Sequence, residues 1–328
     1  MTNFEYACPE TEQEAVEMLR ETGDATAVLA AGTDLVTLLK TDVVQPQRVV
    51  DITRVDSFRG IEATVDGVVI GALTTLEEML ESAALADYPS LRDVITGVRA
   101  LQIQQNGTLG GDLCHLPNCW YFRKGHGLLA RENGRSLSES GDNRYHAILG
   151  NSGPAKFVSA SRFAPGLIAW NAEVRIAGPG SQDAVWMPLQ DLYVTPKTER
   201  QGVTVLKPGQ LITHVRLPQP GRVLSAAYEV LEMQGLDWPL AAAACSLELD
   251  ANGLVRRAKV VLGQVAPTPW VSRPAVSELI GRPVTPETAT AAGRAAVSEA
   301  TPLWNNKYKV QLAQTSVKRA LLRATRQL

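Results

Sequence analysis

Two glycine-bearing turns are the segments of this sequence whose residue types could do chemistry. The first is AAGTDL at positions 30–35, and the second is NGTLGGDL at positions 106–113. Small residues let backbone N–H groups come close to an anion, and each threonine adds a hydroxyl donor. Either turn alone is better explained as an ordinary tight turn, because neither has the spacing of a known phosphate-binding motif. Taken together, the two turns predict a clamp for a pyrophosphate group.

Cysteine and histidine are concentrated just after the second turn. The segment CHLPNCWYFRKG contains Cys114, His115 and Cys119. A zinc site made of these thiols with His115, His126 or His146 is one interpretation, because zinc accepts mixed Cys and His ligands. The alternative, which we prefer, is that Cys114 is a small apolar packing residue, as free cysteines often are. We therefore predict no metal site, with Cys114 and Cys119 as the only weak candidates.

Length and composition describe an ordinary globular chain. The 328 residues are 45% hydrophobic and 20% charged, with a net charge of −2. A chain of this length exceeds what one core usually supports, so two or three domains that share a cleft are expected. Acidic and basic residues are mixed throughout and form no basic stripe. Nucleic acid is therefore excluded as an expected partner.

The compartment is predicted from what the sequence lacks. The first residues, MTNFEYACPETEQ, have neither the basic start nor the apolar run of a signal peptide. The segment PLAAAACSL is too short to span a bilayer, and the four cysteines are scattered rather than arranged as a disulfide framework. We expect a cytoplasmic protein with reduced thiols and no membrane span.

The elements that position the first turn form a β-α-β unit. Thr11 and Glu14 have the spacing of a capping box and predict a helix after a short strand near residues 4–6. The segment ATAVLAAGTDL predicts a strand that runs through the glycine turn into a second helix, and RVVDI predicts another buried strand. The first turn therefore lies at the end of a strand.

The second turn lies at the start of a long irregular segment. Before it, Asp66-Gly67 predicts the turn of a β-hairpin, and after it no window from 106 to about 160 fits a helix or a strand. A loop of that length in a compact chain is usually functional. Strand-like spacing then resumes, residues 218–222 mark a boundary, and the remainder reads as an α+β unit with a hairpin at Asn252-Gly253.

The order of these pieces resembles the FAD-binding subunits of molybdenum hydroxylases, the medium chains of the xanthine dehydrogenase and carbon monoxide dehydrogenase type. The matching segments are LAAGTDLVTLLK, VVIGALTTLEEM, NGTLGGDLC, PLQDLYV with LKPGQLITHVRLP, VLGQVAPTPW and NNKYKVQLAQTSVKRAL. The resemblance implies an α+β (α/β) fold, with a two-part PCMH-type FAD-binding domain followed by a C-terminal α+β domain of the CO dehydrogenase flavoprotein type. It implies a small FAD subdomain at 1–55, a large one at 56–220 with an inserted loop at 112–160, and the C-terminal domain at 221–328.

The resemblance also implies FAD as the cofactor and locates its binding residues. The first loop and the second loop would hold the pyrophosphate, while Arg162 stands where many members have an aspartate that contacts the adenosine part of FAD. The predicted cofactor-binding residues are Ala30, Ala31, Gly32, Thr33, Asp34, Leu35, Ala72, Asn106, Thr108, Gly110, Gly111, Asp112 and Arg162. Arg123 and Lys124 either lie near the pyrophosphate or are solvated charges.

The inserted loop is most similar to the branch of 4-hydroxybenzoyl-CoA reductase and the periplasmic aldehyde oxidoreductases. In that branch the loop carries an additional [4Fe–4S] cluster, which needs four thiolates. Cys119 occupies the position of the first ligand, but residues 124–159 contain no cysteine. We therefore expect that the insertion is present and that the [4Fe–4S] cluster is absent.

Four residues depart from the family pattern. Ala31 replaces a glycine, Asp112 replaces an asparagine, Arg162 replaces an aspartate, and Val230 stands where many members have a lysine near the flavin edge. The charge of Asp112 would repel an anion unless its side chain faces a ribose or a backbone N–H. These changes leave open a loss of flavin affinity.

The function implied by the resemblance is electron transfer without a catalytic residue of this chain's own. Electrons would pass from a [2Fe–2S] small subunit, through FAD, to an external acceptor, while a molybdopterin-binding large subunit acts on the substrate. One alternative is a free-standing FAD-dependent oxidase, for which Tyr193 and His214 are the only titratable candidates. Another is a non-catalytic scaffold that has lost its flavin.

Overall fold

A small parallel sheet forms the first part of the fold. The computed structural model describes residues 1–180, 183–233 and 237–328. The first elements, in chain order, are β1 (Glu5–Ala7), α1 (Glu12–Thr22), β2 (Thr26–Leu29), α2 (Leu35–Lys40) and β3 (Arg48–Asp51). The strands pair in parallel in the order β1-β3-β2, which agrees with the predicted β-α-β start. The first glycine turn leaves this sheet at the carboxyl end of β2.

Helix α1 forms where the sequence spacing predicts it. The Thr11 hydroxyl accepts the N–H of Glu14 at 3.2 Å and caps the helix, while Ala15, Val16 and Leu19 are buried on one face. The Glu14 carboxylate accepts from Glu10 N–H instead of from Thr11 N–H, so the capping box is only half formed. The buried face packs α1 against β3.

The second part of the fold begins with a β-hairpin and four helices. These elements are β4 (Ile61–Thr64), β5 (Gly67–Gly71), α3 (Leu76–Glu81), α4 (Pro89–Gly97), α5 (Leu101–Asn106) and α6 (Leu109–Leu113). Thr64 pairs with Gly67, so the two turn residues are Val65 and Asp66 rather than Asp66 and Gly67. Gly67 is required in the strand, because a Cβ there would lie 1.9 Å from the carbonyl oxygen of Leu217.

The segment predicted as irregular contains several very short elements. These are α7 (Trp120–Arg123), β6 (Arg131–Glu132), β7 (Arg135–Ser136) and α8 (Leu137–Ser140). A separate small core of Leu129, Ala155 and Phe157, joined by Val203, lies beneath them. The segment is therefore an ordered structure with its own core, even though none of its elements is long enough to produce a periodic pattern.

An antiparallel sheet completes the second part. After α9 (Ala164–Ala169), the chain forms β8 (Glu173–Ala177), β9 (Ala184–Pro188) and β10 (Leu211–Pro218). The sheet order is β4-β5-β10-β8-β9, and its neighbouring strands are antiparallel. The second glycine turn is held beyond the carboxyl end of β5, because Leu109 N donates to Thr74 O at 3.0 Å.

The remainder of the chain is a four-stranded antiparallel sheet with three helices. Its elements are β11 (Leu224–Val230), β12 (Ala241–Leu249), β13 (Val255–Gly263), β14 (Trp270–Val271), α10 (Arg273–Leu279), α11 (Pro286–Ala296) and α12 (Tyr308–Ala324). The sheet order is β11-β12-β13-β14. The predicted hairpin forms between β12 and β13, where Gly253 has a φ of +77° and Asp250 Oδ1 accepts from Asn252 N and Leu254 N.

The C-terminal sheet packs directly on the core of the preceding part. Ala227, Ala244 and Val261 belong to the same buried cluster as α4, α9 and the antiparallel sheet. Ser246 Oγ also donates to the carbonyl of Ala169 at 2.6 Å. The α+β architecture expected from the sequence is confirmed, although α4, α9, α10 and β11 had no clear signal in it.

Candidate functional site

The first glycine turn presents backbone donors without partners. Gly32 has a φ of +76°, and a Cβ there would lie 2.8 Å from Val36 Cγ2, so glycine is required. Within the described chain, the N–H groups of Gly32, Thr33 and Asp34 donate to no acceptor. Ala31 and Thr33 are exposed. Successive free N–H groups around a left-handed glycine form a concave site for an anion.

Residues Ala30 and Leu35 flank this turn, and Ala31 causes no strain in it. Ala31 does not have a positive φ, so the glycine found in other family members is not required here for backbone conformation. Ala30 packs against the buried cluster of the small sheet, and Leu35 begins α2. The departure at position 31 therefore adds a methyl group to an exposed position without changing the path of the backbone.

The second turn is packed tightly and satisfies most of its own donors. Thr108 Oγ1 accepts from Gly111 N at 3.1 Å, and Gly110 N donates to Ala72 O at 2.8 Å. A Cβ on Gly110 would lie 2.8 Å from Ala72 Cβ, so the two segments touch backbone to backbone. The exposed Asn106 side chain donates to Gln102 O at 2.9 Å. The second turn therefore lets two backbone segments lie close together, and it does not offer free N–H groups as the first turn does.

The inserted segment connects the two turns. Arg123 donates to Asp34 through Nη1 at 2.5 Å and through Nη2 at 3.3 Å. His115, two residues after α6, places Nε2 3.5 Å from Asp34 Oδ1, and its ring packs at 4.7 Å against Trp238. These contacts bring the first turn next to the chain that leaves the second turn.

The carboxylate of Asp112 points away from the exposed side of the turn. It accepts hydrogen bonds from Ser161 Oγ, from Arg162 N at 3.1 Å and from Phe163 N at 3.1 Å. Burial raises the pKa of Asp112, while these donors favour its charged form. The side chain thus faces backbone N–H groups, which removes the electrostatic objection to an anion at this turn.

Arg162 makes a buried ion pair with the C-terminal domain. Its Nε donates to Glu229 Oε1 at 3.0 Å, its Nη2 contacts Glu229 Oε2, and only 9% and 7% of the two side chains are exposed. Val230, the next residue, pairs with Ala241 across the sheet. The guanidinium of Arg162 is therefore occupied by a carboxylate, and its predicted contact with the cofactor remains a prediction.

The cysteines are not gathered into a cluster. Cys119 Sγ lies 3.3 Å from His146 Nε2, whereas Cys114 is exposed. Burial lowers the pKa of His146 to about 4 and raises that of the Cys119 thiol, so both groups are neutral at pH 7. Across residues 1–180, 183–233 and 237–328, no three His, Cys, Asp or Glu side chains are arranged to hold a metal ion.

The two acid–base candidates of an oxidase are both engaged in structural contacts. Tyr193 Oη donates to the carbonyl of Leu113 at 3.1 Å, and burial raises its pKa well above 10. His214 Nδ1 lies 3.0 Å from Thr213 Oγ1, and burial lowers its pKa. The structure gives each of the two residues a local hydrogen-bond partner.

Comparison with protein families decides the assignment. Residues 2–220 match the family described as the FAD binding domain in molybdopterin dehydrogenase, and residues 226–324 match the CO dehydrogenase flavoprotein C-terminal domain. The chain belongs to this family. The expected family and the expected FAD cofactor are thereby confirmed.

Relatives and solved structures agree with this membership. The chain is 28% identical to the carbon monoxide dehydrogenase medium chain of Hydrogenophaga pseudoflava, covering 97% of this chain and 96% of that one. It is 26% identical to the aldehyde oxidoreductase FAD-binding subunit PaoB of Escherichia coli, covering 91% of each. Reconstituted CO dehydrogenase from Oligotropha carboxidovorans has a chain of the same fold, with a TM-score of 0.78 at 23% identity, covering 100% of this chain and 99% of that one.

The geometry of the turns fits the FAD cofactor of the family. A pyrophosphate needs N–H donors at close range, and the first turn supplies them around Gly32. The second turn packs without side chains at Gly110, which lies against Ala72, and at Gly111, where a Cβ would lie 2.9 Å from Thr108 Oγ1. In the described parts of the chain, no helix is both long enough and apolar enough to cross a membrane.

Sequence patterns named Arg123, Asp34 and Arg162 but predicted neither the Arg123–Asp34 contact nor the Arg162–Glu229 pair. Arg123 lies 89 positions from Asp34, and no spacing rule links them. Glu229 is likewise 67 positions from Arg162. The only sequence feature that could have indicated Arg123 was its position after an aromatic run, in a loop that follows a glycine turn.

Proposed function

We propose that this chain is the FAD-binding, electron-transferring subunit of a molybdopterin-dependent hydroxylase or dehydrogenase. It would work with a molybdopterin-binding large subunit and a [2Fe–2S] small subunit in the cytoplasm. The observation that carries the proposal is the set of free N–H donors around Gly32, together with a second turn that approaches Ala72 through glycine. Membership of a family of FAD-binding domains supports the same conclusion.

The chain's own residues have two tasks in this function. The N–H groups of Gly32 and Thr33 would bind the pyrophosphate, and the small residues Gly110 and Gly111 would let backbone lie against it. When bound, FAD supplies a centre that accepts and donates electrons. No side chain has to take a proton from a substrate carbon, which agrees with the structural contacts of Tyr193 and His214.

The first test is the visible absorption spectrum of the purified full-length chain, before and after incubation with FAD, with iron and zinc measured on the same sample. We expect flavin bands, a stoichiometry near one and no iron. A chain that stays colourless after incubation would contradict the proposal and favour a scaffold. A brown, iron-containing protein would contradict the expected loss of the [4Fe–4S] cluster.

Two matched glycine substitutions locate the binding site. Gly110→Ala would force the second turn away from Ala72, because the new Cβ would lie 2.8 Å from Ala72 Cβ. We expect FAD affinity to fall by about tenfold or more, since overpacking and a displaced backbone cost roughly 1–3 kcal/mol. Gly153→Ala is the control, because its Cβ would meet nothing within 4 Å. Equal affinities for the two variants would exclude the second turn from the site.

The partners are tested by co-expression. Large and small subunits of the relatives' type, encoded with this chain, should copurify with a tagged copy of it. Turnover by the free chain alone, with substrate and oxygen, would instead support the oxidase alternative.

A further inference from the structure

The contact between Arg123 of the inserted segment and Asp34 of the first turn affects the charge at the cofactor site. This inference rests on the proposed function, because it concerns the same cofactor site. We propose that Arg123 is a positioning residue of that site, which fixes Asp34 and neutralises its charge so that the first turn can receive a pyrophosphate. The inserted segment would then contribute to the cofactor site, with Cys114 and Cys119 as its only cysteines.

Electrostatics requires a partner for Asp34. Its backbone N–H is one of the free donors of the first turn, so its carboxylate lies close to the place where a pyrophosphate would bind. An unpaired carboxylate at that distance would repel the ligand. Only 23% of the Asp34 side chain and 18% of the Arg123 side chain are exposed, so solvent screens the repulsion incompletely. The guanidinium of Arg123 removes this obstacle.

The geometry of Arg123 is that of a fixed group rather than a mobile surface charge. Its Nε donates to Pro117 O at 3.0 Å, and its Nη2 donates to Leu116 O at 3.0 Å. The remaining donors make the two-point contact with Asp34. Planar, bidentate pairs are the strong ones, and little side-chain entropy remains to be lost when the ligand binds.

His115 lies beside the same carboxylate. Its Nδ1 lies 2.7 Å from Leu116 O, which can only accept, so Nδ1 carries a proton. Its Nε2 faces Asp34 Oδ1 at 3.5 Å, and its ring packs against Trp238. The charge that compensates Asp34 therefore comes from Arg123.

The experiment measures FAD dissociation constants of the apoprotein for four variants. Arg123→Met removes the charge and keeps the stem, and we expect binding about tenfold weaker, equivalent to about 1.4 kcal/mol. Arg123→Lys restores the positive charge without the planar guanidinium, so it should recover part of the lost FAD affinity. Asp34→Asn combined with Arg123→Met should bind FAD better than Arg123→Met alone, because no unpaired carboxylate is left. A merely structural role would show the loss and the rescue in the free energy of unfolding and would leave the FAD affinity of the folded variants unchanged.

Arg144→Met is the control within the same segment. Arg144 also pairs with a carboxylate through two nitrogens, Asp142, but 51% of its side chain is exposed. We expect its FAD affinity to stay within about twofold of the unchanged protein, because exposed pairs contribute little.

The outcomes separate this inference from the proposed function. If the unchanged protein binds FAD and Arg123→Met binds it equally well, the inference is overturned and the proposed function stands. The inference also fails if the double variant is no better than Arg123→Met. If neither the unchanged protein nor Arg144→Met binds FAD, both proposals fall together. Arg123→Lys keeps the test decisive should Arg123→Met not fold.

Discussion

The carboxylate of Asp112 joins the second glycine turn to the start of α9. One oxygen contacts Ser161 Oγ and Phe163 N, and the other accepts from Arg162 N. Ser161 Oγ in turn accepts from Ala164 N at 3.0 Å, so a single side chain organises the first turn of the helix. An acidic residue is therefore compatible with a turn that receives an anion when its carboxylate accepts hydrogen bonds from the protein's own N–H groups.

Substitution of Asp112 tests this role. Asp112→Ala leaves three donors without an acceptor, and we expect the free energy of unfolding to fall by about 2–4 kcal/mol. Asp112→Asn, the residue common in the family, keeps one accepting oxygen and should cost roughly 1 kcal/mol. Urea denaturation measures both values. Glu278→Ala, which breaks an exposed pair with Arg282, is the control and should change stability by less than about 0.5 kcal/mol.

At the scale of elements, helix α12 holds the inserted segment through a buried lysine. Lys309 Nζ donates to the carbonyls of Tyr145 at 3.1 Å, His146 at 3.2 Å and Gln264 at 2.8 Å, and only 1% of the residue is exposed. Burial lowers the pKa of Lys309 to about 7. The three carbonyl acceptors favour the ammonium form, because a neutral amine has only two N–H donors. They therefore oppose the lowering of the Lys309 pKa.

The lowered pKa of Lys309 predicts the direction in which the free energy of unfolding changes with pH. Since its folded pKa lies below the unfolded value of 10.5, the unfolded chain binds more protons between pH 7 and 10. The unchanged protein should therefore gain stability relative to Lys309→Met as the pH rises through this window, by roughly 1–3 kcal/mol. Denaturation series at several pH values measure the difference. Lys307→Met, at an exposed position, should show no such trend, and a flat difference for Lys309→Met would mean that the amine keeps its proton.

Elements with local signals were the ones that sequence could predict. Capping residues and periodic apolar positions predicted α1, and the first turn was expected at the end of β2, where it lies. Helices α4 and α9 were missed. Every residue of α9 is buried, whereas α4 buries Ser90, Leu91, Val94 and Ile95 and exposes its other face. A helix that is apolar on most sides, such as APGLIA in α9, has no amphipathic pattern to detect. The Lys309 contacts were also invisible, because they depend on carbonyls from distant segments.

At the scale of the whole molecule, the FAD-binding part and the C-terminal domain share one buried interface. Asp93 on α4 accepts from Ala227 N at 2.9 Å, and Ser225 Oγ accepts from Ser90 N at 3.2 Å. Gly97, at the end of α4, lies so close to the Arg162–Glu229 pair that a Cβ would come within 2.5 Å of Glu229 Oε2. The two domains therefore approach through small residues and meet around the buried Arg162–Glu229 pair, with Arg323 and Asp93 forming a second ion pair across the interface.

We expect the Arg162–Glu229 pair to stabilise the contact between the two domains. Removing it should leave FAD affinity unchanged unless Arg162 also contacts the cofactor. Removing one partner strands a buried charge, so we expect Arg162→Met or Glu229→Met to lower the free energy of unfolding by about 3–5 kcal/mol. The double substitution should cost less than either single one, because no charge is then left unpaired. Arg256→Met, at the exposed pair with Glu248 in the same domain, is the matched control. An FAD affinity about tenfold weaker in the folded double variant would show that Arg162 also serves the cofactor, as its sequence position predicts. An unchanged affinity would restrict Arg162 to holding the domains together.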